Sequence, residues 1–405
     1  MTGPRRGEGE AGGRRRGDNS AALPLPQDRP AVVIVAHARP RSLARLLSSV
    51  ARGRYPGAVK LVVSVDKSDD PEVLRVAEEF VWAFGDKEVI RRPERLGLRR
   101  HVLSCGDLSR EHGSVVVLED DLYVSPEFYA YAGQALAFYR GRSEIAGISL
   151  YAHHLNVHAR LRFEPLPDES DVFFLQMASS WGQAWTWEQW RGFRDWYGGH
   201  DGPVTAEDNL PDAMVGWPDS SWLKYYTKYM VATGNYFVYP RESLSTNCGD
   251  RGVHHRSGTT LFQVPLQLFK SSFRFKPLAD SAAVYDAWFE LLPSRLDRLT
   301  DSLKGYDYSV DLYGTKAPGR LGTAHVLTSR RCRSHVRSFG RTMRPPEMNV
   351  IAGVPGQDIL LSAVGEVVGA ADGQLPQFYP ELSSRRLLAM VRARLAGRLG
   401  LTKRT

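Results

Sequence analysis

From residue 31 to about residue 150 the chain alternates between short apolar runs and amphipathic stretches. The apolar runs lie at residues 31–37, 60–66, 88–92 and 114–118, and the amphipathic stretches begin near residues 42, 71, 99 and 128. Runs that are β-branched or aliphatic on both faces are typical of strands buried in a parallel sheet. Because predicted strands and helices alternate, the pattern predicts an α/β fold, with a mostly parallel sheet flanked by helices.

The fourth predicted strand runs directly into three consecutive acids, Glu119, Asp120 and Asp121. Three carboxylates at the end of a buried strand repel one another and lose hydration, so a cation is expected beside them. Mg²⁺ and Mn²⁺ take carboxylate oxygens and share them with substrate phosphates. The alternative is a plain boundary between a strand and a turn, where acids are also common.

Two other predicted strands also end in polar side chains, Arg39 after the first and Asp66 after the second. The carboxyl ends of parallel strands lie along one edge of a sheet, where ligands bind in open α/β folds. This edge suits a nucleoside diphosphate, with acids for ribose hydroxyls and a metal, and Arg39 for phosphate or base. No glycine-rich dinucleotide fingerprint or Walker-type phosphate loop follows the first strand.

The stretch VVVLEDDLYVSPEFYAY at residues 115–131, together with residues 31–66, resembles glycosyltransferases of the GT-A fold. The resemblance covers roughly residues 29–262. It is closest to the N-acetylglucosaminyltransferase I type, with a relation to bacterial family 2. The resemblance implies a GT-A nucleotide-diphospho-sugar transferase that depends on Mn²⁺ or Mg²⁺, inverts the anomeric carbon and uses a nucleotide sugar, with a UDP-sugar favoured.

The resemblance also implies roles for the residues at this edge. Arg39 and Asp66 would contact the uridine part of the donor. Glu119 and Asp120 would reach the ribose and the sugar, and Asp121 would bind the metal.

Two further segments are expected to contact the donor by the same resemblance. Family members place a histidine early in the helix before the acidic strand; here Leu98 or Arg99 falls near that point, and Arg99 and Arg100 are expected to contact the diphosphate instead. The glycine-rich stretch at 247–255 resembles a late loop that closes over the donor. Arg251 would then bind the donor and His255 the metal, although a plain surface turn is the alternative.

Four tryptophans lie within ten residues, at 181, 185, 187 and 190. The resemblance aligns them with a segment beneath the sugar site. Because sugar rings stack on indoles, Trp181 and Trp185 are candidates for binding the acceptor. Packing in the core is the alternative, since buried tryptophan is common.

The general base is expected in the stretch from 212 to 222. In the resembled family it is an Asp just ahead of a Trp at a helix start, so Asp219 before Trp222 is the candidate and Asp212 the fallback. The two serines between Asp219 and Trp222 depart from the family pattern. Helix capping by Asp219 is the other interpretation.

Charge and length set the expected domains. The net charge is +8 over 405 residues, and residues 385–405 hold seven basic residues and no acid. We expect a disordered segment at 1–29, a GT-A domain at 30–265, an extension packed on the core at 266–380 with a helix at 282–303, and a basic amphipathic helix at 381–405. The apolar positions of that last helix are Leu387, Leu388, Val391, Leu395 and Leu399.

The basic helix predicts contact with a membrane surface, and packing on its own domain is the alternative. Three widely spaced cysteines give no disulfide framework, and no apolar run nears the ~20 residues that span a bilayer. We therefore expect a cytoplasmic protein, peripheral on the inner face of the plasma membrane, whose acceptor is a glycan or lipid-linked molecule of the kind used in surface polysaccharide synthesis.

Two rival functions stay open, and a third is disfavoured. A nucleotide-sugar-binding scaffold without catalysis would explain the serines at 220 and 221. A nucleotidyltransferase uses a similar sheet and acids. A nucleic-acid-binding protein would use the arginine clusters, but the aromatic and acidic residues gather away from them, so no nucleic-acid partner is expected.

Overall fold

A computed structural model of the chain describes residue 3 and residues 28–250, 260–368 and 384–398. The predicted segment at 1–29 lies almost wholly outside these residues. So do Arg251 and His255 of the late loop.

Seventeen strands and eleven α-helices are numbered here in chain order over the described residues. The strands are β1 (Ala31–Ala36), β2 (Leu61–Val65), β3 (Lys87–Arg91), β4 (Ser114–Glu119), β5 (Leu122–Val124), β6 (Ile145–Ser149), β7 (Leu155–Asn156), β8 (Leu161–Arg162), β9 (Val172–Leu175), β10 (Gln183–Thr186), β11 (Tyr236–Pro240), β12 (Ser245–Asn247), β13 (Val284–Tyr285), β14 (Tyr308–Asp311), β15 (His325–Thr328), β16 (Arg337–Phe339) and β17 (Ile359–Ala363). The helices are α1 (Pro40–Val50), α2 (Pro71–Glu79), α3 (Gly97–Gly106), α4 (Ser109–His112), α5 (Phe128–Tyr139), α6 (Trp187–Tyr197), α7 (Asp212–Val215), α8 (Trp222–Thr233), α9 (Pro293–Leu296), α10 (Glu347–Ile351) and α11 (Ser384–Arg398).

A nine-stranded sheet in the order β13-β9-β11-β6-β10-β4-β1-β2-β3 forms the centre of the fold. Strand β1 runs parallel to both β2 and β4, and β2 runs parallel to β3. Strand β10 is antiparallel to its neighbours β4 and β6. The predicted α/β fold with a mostly parallel sheet is confirmed.

The core explains why the apolar runs became strands. All six residues of β1 and the first five of β4 are buried, because apolar side chains on both faces pack under the flanking helices. Helix α5 begins at the predicted residue 128, and the Ser125 Oγ accepts the Glu127 backbone N–H at 3.1 Å just ahead of it. The segment at 120–127, which contains β5, joins the acidic end of β4 to α5.

The predicted helix at 282–303 is wrong. Residues 284–285 instead form β13, which runs parallel to β9 at the end of the main sheet, and only the four residues of α9 are α-helical there. Pairing with a strand more than a hundred residues away decides the conformation of this segment. Local sequence pattern carries no information about that pairing.

The predicted extension shares the core of the sheet domain. Within this extension, the strands between Tyr308 and Ala363 form a second sheet in the order β14-β15-β17-β16. Its Val310 and Leu327 belong to the same buried apolar cluster as Val33 of β1 and Val117 of β4. The domain boundaries at 265 and 380 stay predictions.

Helix α11 presents its apolar side chains to solvent. Leu387, Leu388, Val391 and Leu395 are each about half exposed, whereas Leu399 lies outside the described residues. Within the described parts of the chain, no helix is both long and apolar enough to cross a membrane.

Candidate active site

Strands β1, β2 and β4 end side by side and bring the predicted polar residues to one edge. Val35 of β1 is level with Glu119 of β4, and Ala36 is level with Val65 of β2. The backbone N–H of Asp120 donates to the Val35 carbonyl at 3.1 Å. The residues that follow each strand therefore share this edge, as the sequence predicts.

Arg39 bridges the two aspartates. Its Nη1 donates to the Asp121 Oδ2 at 3.0 Å, and its Nη2 donates to the Asp120 Oδ1. Burial raises the pKa of Asp120 to about 6, although the Arg39 guanidinium opposes this shift. Burial also acts against the charge on Arg39, yet the two carboxylates raise the pKa of its guanidinium. One cation and two carboxylates form a single electrostatic unit.

Glu119 is partly buried at the end of β4. The Glu119 Oε1 is buried and has no hydrogen-bond partner. Burial, followed by the charges of Asp121 and Asp120, raises the pKa of Glu119 to about 8. Glu119 therefore holds a proton at neutral pH when no ligand is bound.

This raised pKa makes the stability depend on pH. The folded protein keeps the Glu119 proton above pH 4.5, its ordinary pKa, whereas the unfolded chain loses it there. The free energy of unfolding should therefore fall as the pH rises from 4.5 to about 8. Urea unfolding across this window should show a shallower fall for Glu119→Gln than for the wild type. Parallel profiles would show that Glu119 ionises normally.

Asp66 is buried and holds the connection into α3. Its Oδ1 accepts the backbone N–H groups of Lys67 at 3.0 Å and Leu96 at 2.8 Å, and its Oδ2 accepts that of Gly97 at 3.0 Å. A carboxylate has further acceptor capacity, so its predicted contact with uridine stays open. The structure adds a positioning role.

A cavity of about 500 Å³ opens among residues that follow β1, β2 and β3, next in sequence to Arg39 and Asp66. Cavities of about 300–1,000 Å³ are typical of small-molecule sites. Its lining residues are His37, Ala38, Lys67, Ser68, Asp69, Asp70, Glu94 and Arg95. The sequence analysis did not identify these cavity residues. They follow β1, β2 and β3, and their position directly after predicted strands could have indicated them.

The two arginines at the start of α3 differ in their surroundings. The Arg99 guanidinium lies 4.7 Å from the ring centre of Tyr225 on α8, and its Nη1 is buried without a hydrogen-bond partner. Arg100 is exposed and pairs with Glu94 of the cavity at 2.9 Å. Their expected contact with diphosphate stays a prediction.

Asp219 lies at the surface. Its side chain is 67% exposed, and its Oδ1 is 2.7 Å from the Nζ of Lys224, which is buried. This ion pair lowers the pKa of Asp219 and makes it a weaker base. Ser221, not Asp219, is the N-cap of α8, so the capping interpretation is wrong. The fallback, Asp212, is exposed and pairs with Arg320.

The two candidate tryptophans have different environments. Trp185 is fully buried and stacks on Trp190 with ring centres 4.5 Å apart, so its predicted contact with an acceptor is wrong. Strand β10 points this side chain into the core beneath α6 and α8. Trp181 is half-buried and lies 4.6 Å from Tyr151 and 4.8 Å from Phe262, ring centre to ring centre. Trp181 remains a candidate for binding the acceptor.

Asp121 is the predicted metal ligand, and the Asp120 carboxylate lies beside it, paired with the same arginine, Arg39. Within the described residues, no group of three or more His, Cys, Asp or Glu side chains is placed to hold a metal. Mg²⁺ is commonly held by one or two carboxylates with substrate phosphates and water completing the shell. The two aspartates fit that mode, and the predicted ligand His255 lies outside the described residues.

The start of the late loop is fixed beside these aspartates. The Cys248 backbone N–H donates to the Asp121 carbonyl at 2.9 Å. Asp250 accepts hydrogen bonds from the Ser42 Oγ at 2.7 Å and the Arg45 Nη1 at 3.1 Å. The segment that leads to Arg251 and His255 therefore leaves from the acidic edge.

Residues 26–188 match a family model described as "Glycosyltransferase like family 2". The match includes β1 to β4 and the whole acidic edge. These residues form a glycosyltransferase family 2-like domain, in agreement with the predicted GT-A fold. No curated protein gives a significant match to the chain.

Several solved structures show distant similarity to the chain. TarS residues 1–349 of S. aureus has 14% identity over 53% of this chain and 59% of its own, with a TM-score of 0.34. The mannosyltransferase PcManGT of Pyrobaculum calidifontis, in complex with GDP-Man and Mn²⁺, has 14% identity over 57% and 61%, with a TM-score of 0.36. GalNAc-T7, with UDP, GalNAc and Mn²⁺, has 14% identity over 52% and 42%, also at 0.36. The chain covers less than two thirds of the length of each of these proteins. At these identities and TM-scores, the activities of these proteins are not assigned to this chain.

Proposed function

We propose that the protein is an inverting glycosyltransferase that uses Mn²⁺ or Mg²⁺ and moves a hexosyl or N-acetylhexosaminyl group from a nucleotide sugar, with a UDP-sugar favoured. The observation that carries the proposal is the sheet edge where Arg39 pairs with both Asp120 and Asp121. An arginine next to carboxylates supplies the charges that a diphosphate and its metal need. The likeness to the N-acetylglucosaminyltransferase I type supports inversion.

Each part of the donor has a place in this proposal. The nucleoside would lie in the cavity, and Asp66 would support it by holding the backbone at Leu96 and Gly97. Arg39 would bind the diphosphate. A metal held by Asp121 would supply Lewis-acid stabilisation of the leaving diphosphate.

The sugar and the acceptor would meet beyond Glu119. Glu119 and Asp120 would contact the ribose and the sugar, while Trp181 would offer a ring face to the acceptor. Asp219 would take the proton of the attacking hydroxyl. Because Lys224 lowers its pKa, Asp219 would act in its ionised form from mildly acidic pH upward.

The acceptor is proposed to be a glycan or a lipid-linked molecule. Half-exposed apolar side chains and several arginines share α11 but do not separate onto opposite faces, so the predicted amphipathic character is wrong and the proposed contact with an anionic membrane surface rests on the basic charge. We place the protein at the inner face of the plasma membrane on that ground. Vesicle binding that disappears when α11 is deleted would test this part.

A nucleotide-sugar-binding protein without catalysis is the second candidate. The ion pair between Asp219 and Lys224 favours it, since the expected base already has a cationic partner 2.7 Å away. It predicts donor binding without turnover.

Nucleoside diphosphate release separates these functions. The protein is incubated with a panel of nucleotide sugars, with and without Mn²⁺, beside Asp121→Ala and the control Asp301→Ala, which removes an exposed ion pair with Lys304. We expect slow, metal-dependent release from one donor by the wild type and the control, and none by Asp121→Ala. Donor binding without release, even when candidate acceptors are added, would favour the inactive protein. Absence of donor binding would overturn the proposal.

A further inference from the structure

Arg39 occupies the space between the two carboxylates that a metal would use. Its Nη1 is 3.0 Å from the Asp121 Oδ2, and its Nη2 contacts the Asp120 Oδ1. The Arg39 side chain is 29% exposed, and those of Asp120 and Asp121 are 5% and 19% exposed. The described structure therefore places a cation of the protein's own on both candidate metal ligands.

The backbone around this unit is held firmly. The Arg39 carbonyl accepts the Leu43 N–H at 3.0 Å as α1 begins, and Val35 fixes Asp120 across the sheet. The Asp121 carbonyl accepts the Cys248 N–H at 2.9 Å. The long Arg39 side chain is consequently the part of the unit that has freedom to move.

A divalent cation on Asp121 would compete with Arg39 in two ways. Both use the same carboxylate oxygens, and their like charges repel at this separation. A diphosphate offers Arg39 an alternative, because a guanidinium binds phosphate oxygens through two parallel hydrogen bonds.

We propose that Arg39 is a resident cation that a divalent metal displaces from Asp121 and that then binds the donor diphosphate, so that metal and nucleotide diphosphate bind cooperatively. This inference rests on the proposed function and adds a positioning role for one residue. Because coupling between two ligands is reciprocal, UDP should tighten metal binding by the same factor by which metal tightens UDP binding.

The test is a calorimetric Mn²⁺ titration, with and without UDP, of the wild type and Arg39→Met. Removing the guanidinium should tighten Mn²⁺ binding in the absence of UDP by about tenfold, a value within the usual range of coupling between sites. It should also reduce the factor by which UDP tightens Mn²⁺ binding. Arg39→Gln removes the same charge with a polar side chain and should behave alike, which guards against misfolding of one variant.

A matched control is Arg194→Met. Arg194 pairs with Asp107 at 3.0 Å, and its helix α6 meets Gly113 at the opposite end of β4. In Arg194→Met, the Mn²⁺ affinity measured with UDP and the Mn²⁺ affinity measured without UDP should both equal the wild-type values.

Two results are decisive against the inference. The first is that both Arg39 variants bind Mn²⁺ in the absence of UDP as tightly as the wild type or more weakly. This result would overturn the inference on Arg39 and leave the proposed function intact, provided that the wild type binds UDP. A wild type that binds none of the nucleotide diphosphates or nucleotide sugars would overturn the proposed function itself, and this inference with it.

Discussion

Asp121→Asn is expected to lower kcat/KM for sugar transfer by about a thousandfold, the size of effect seen when one preorganised electrostatic contact to a transition state is lost. Asn keeps the shape of the side chain but removes the negative charge that would hold the metal. It also leaves Arg39 with one carboxylate partner, Asp120, in place of two. The measurement is nucleoside diphosphate release from the active donor at saturating Mn²⁺.

The control for this variant is Asp301→Asn. Asp301 is exposed and its Oδ1 lies 2.6 Å from the Nζ of Lys304, so it tests loss of a surface carboxylate alone. Its activity should equal that of the wild type. If Asp121→Asn also retained full activity, Asp121 would have no part in metal or donor binding.

Trp185→Ala is expected to lower the free energy of unfolding by about 3–5 kcal/mol, the usual cost of removing a buried aromatic side chain. Trp185 is fully buried and stacks on Trp190 with an angle of 12° between the rings. Its removal leaves a cavity between β10, α6 and α8 that the surrounding side chains can fill only in part. Urea denaturation monitored by circular dichroism measures the change.

Trp181→Ala is the matched comparison, since it truncates the same residue type four positions earlier. Trp181 is half-buried, so this variant should lose less stability than Trp185→Ala and should show a raised KM for the acceptor. An equal or larger loss of stability in Trp181→Ala would contradict the distinction between a core tryptophan and a surface tryptophan.

The strands and the acidic edge are predictable from sequence because both depend on local pattern. β1 and β4 are apolar on both faces, which indicates a parallel sheet, and parallel strands bring their carboxyl ends to one edge. The family match over 26–188 covers this same region. The order of strands and polar residues along the chain is therefore enough to place Arg39, Asp66 and Asp121 together.

Other features depend on contacts between distant residues and have no local signal. β13 forms because β9 offers it an edge, and the burial of Trp185 follows from the face of β10 that meets α6 and α8. The pairing of Arg39 with Asp120 joins residues 81 positions apart. The ion pair of Lys224 with Asp219 depends on how the turn before α8 folds back.

The most direct test of the proposed donor site is a crystal structure of the protein with UDP and Mn²⁺. We expect the uridine in the cavity beside Asp66, a phosphate oxygen within hydrogen-bonding distance of the Arg39 guanidinium, and the metal on Asp121. A nucleotide bound elsewhere, with Arg39 still bridging Asp120 and Asp121, would contradict the proposed site.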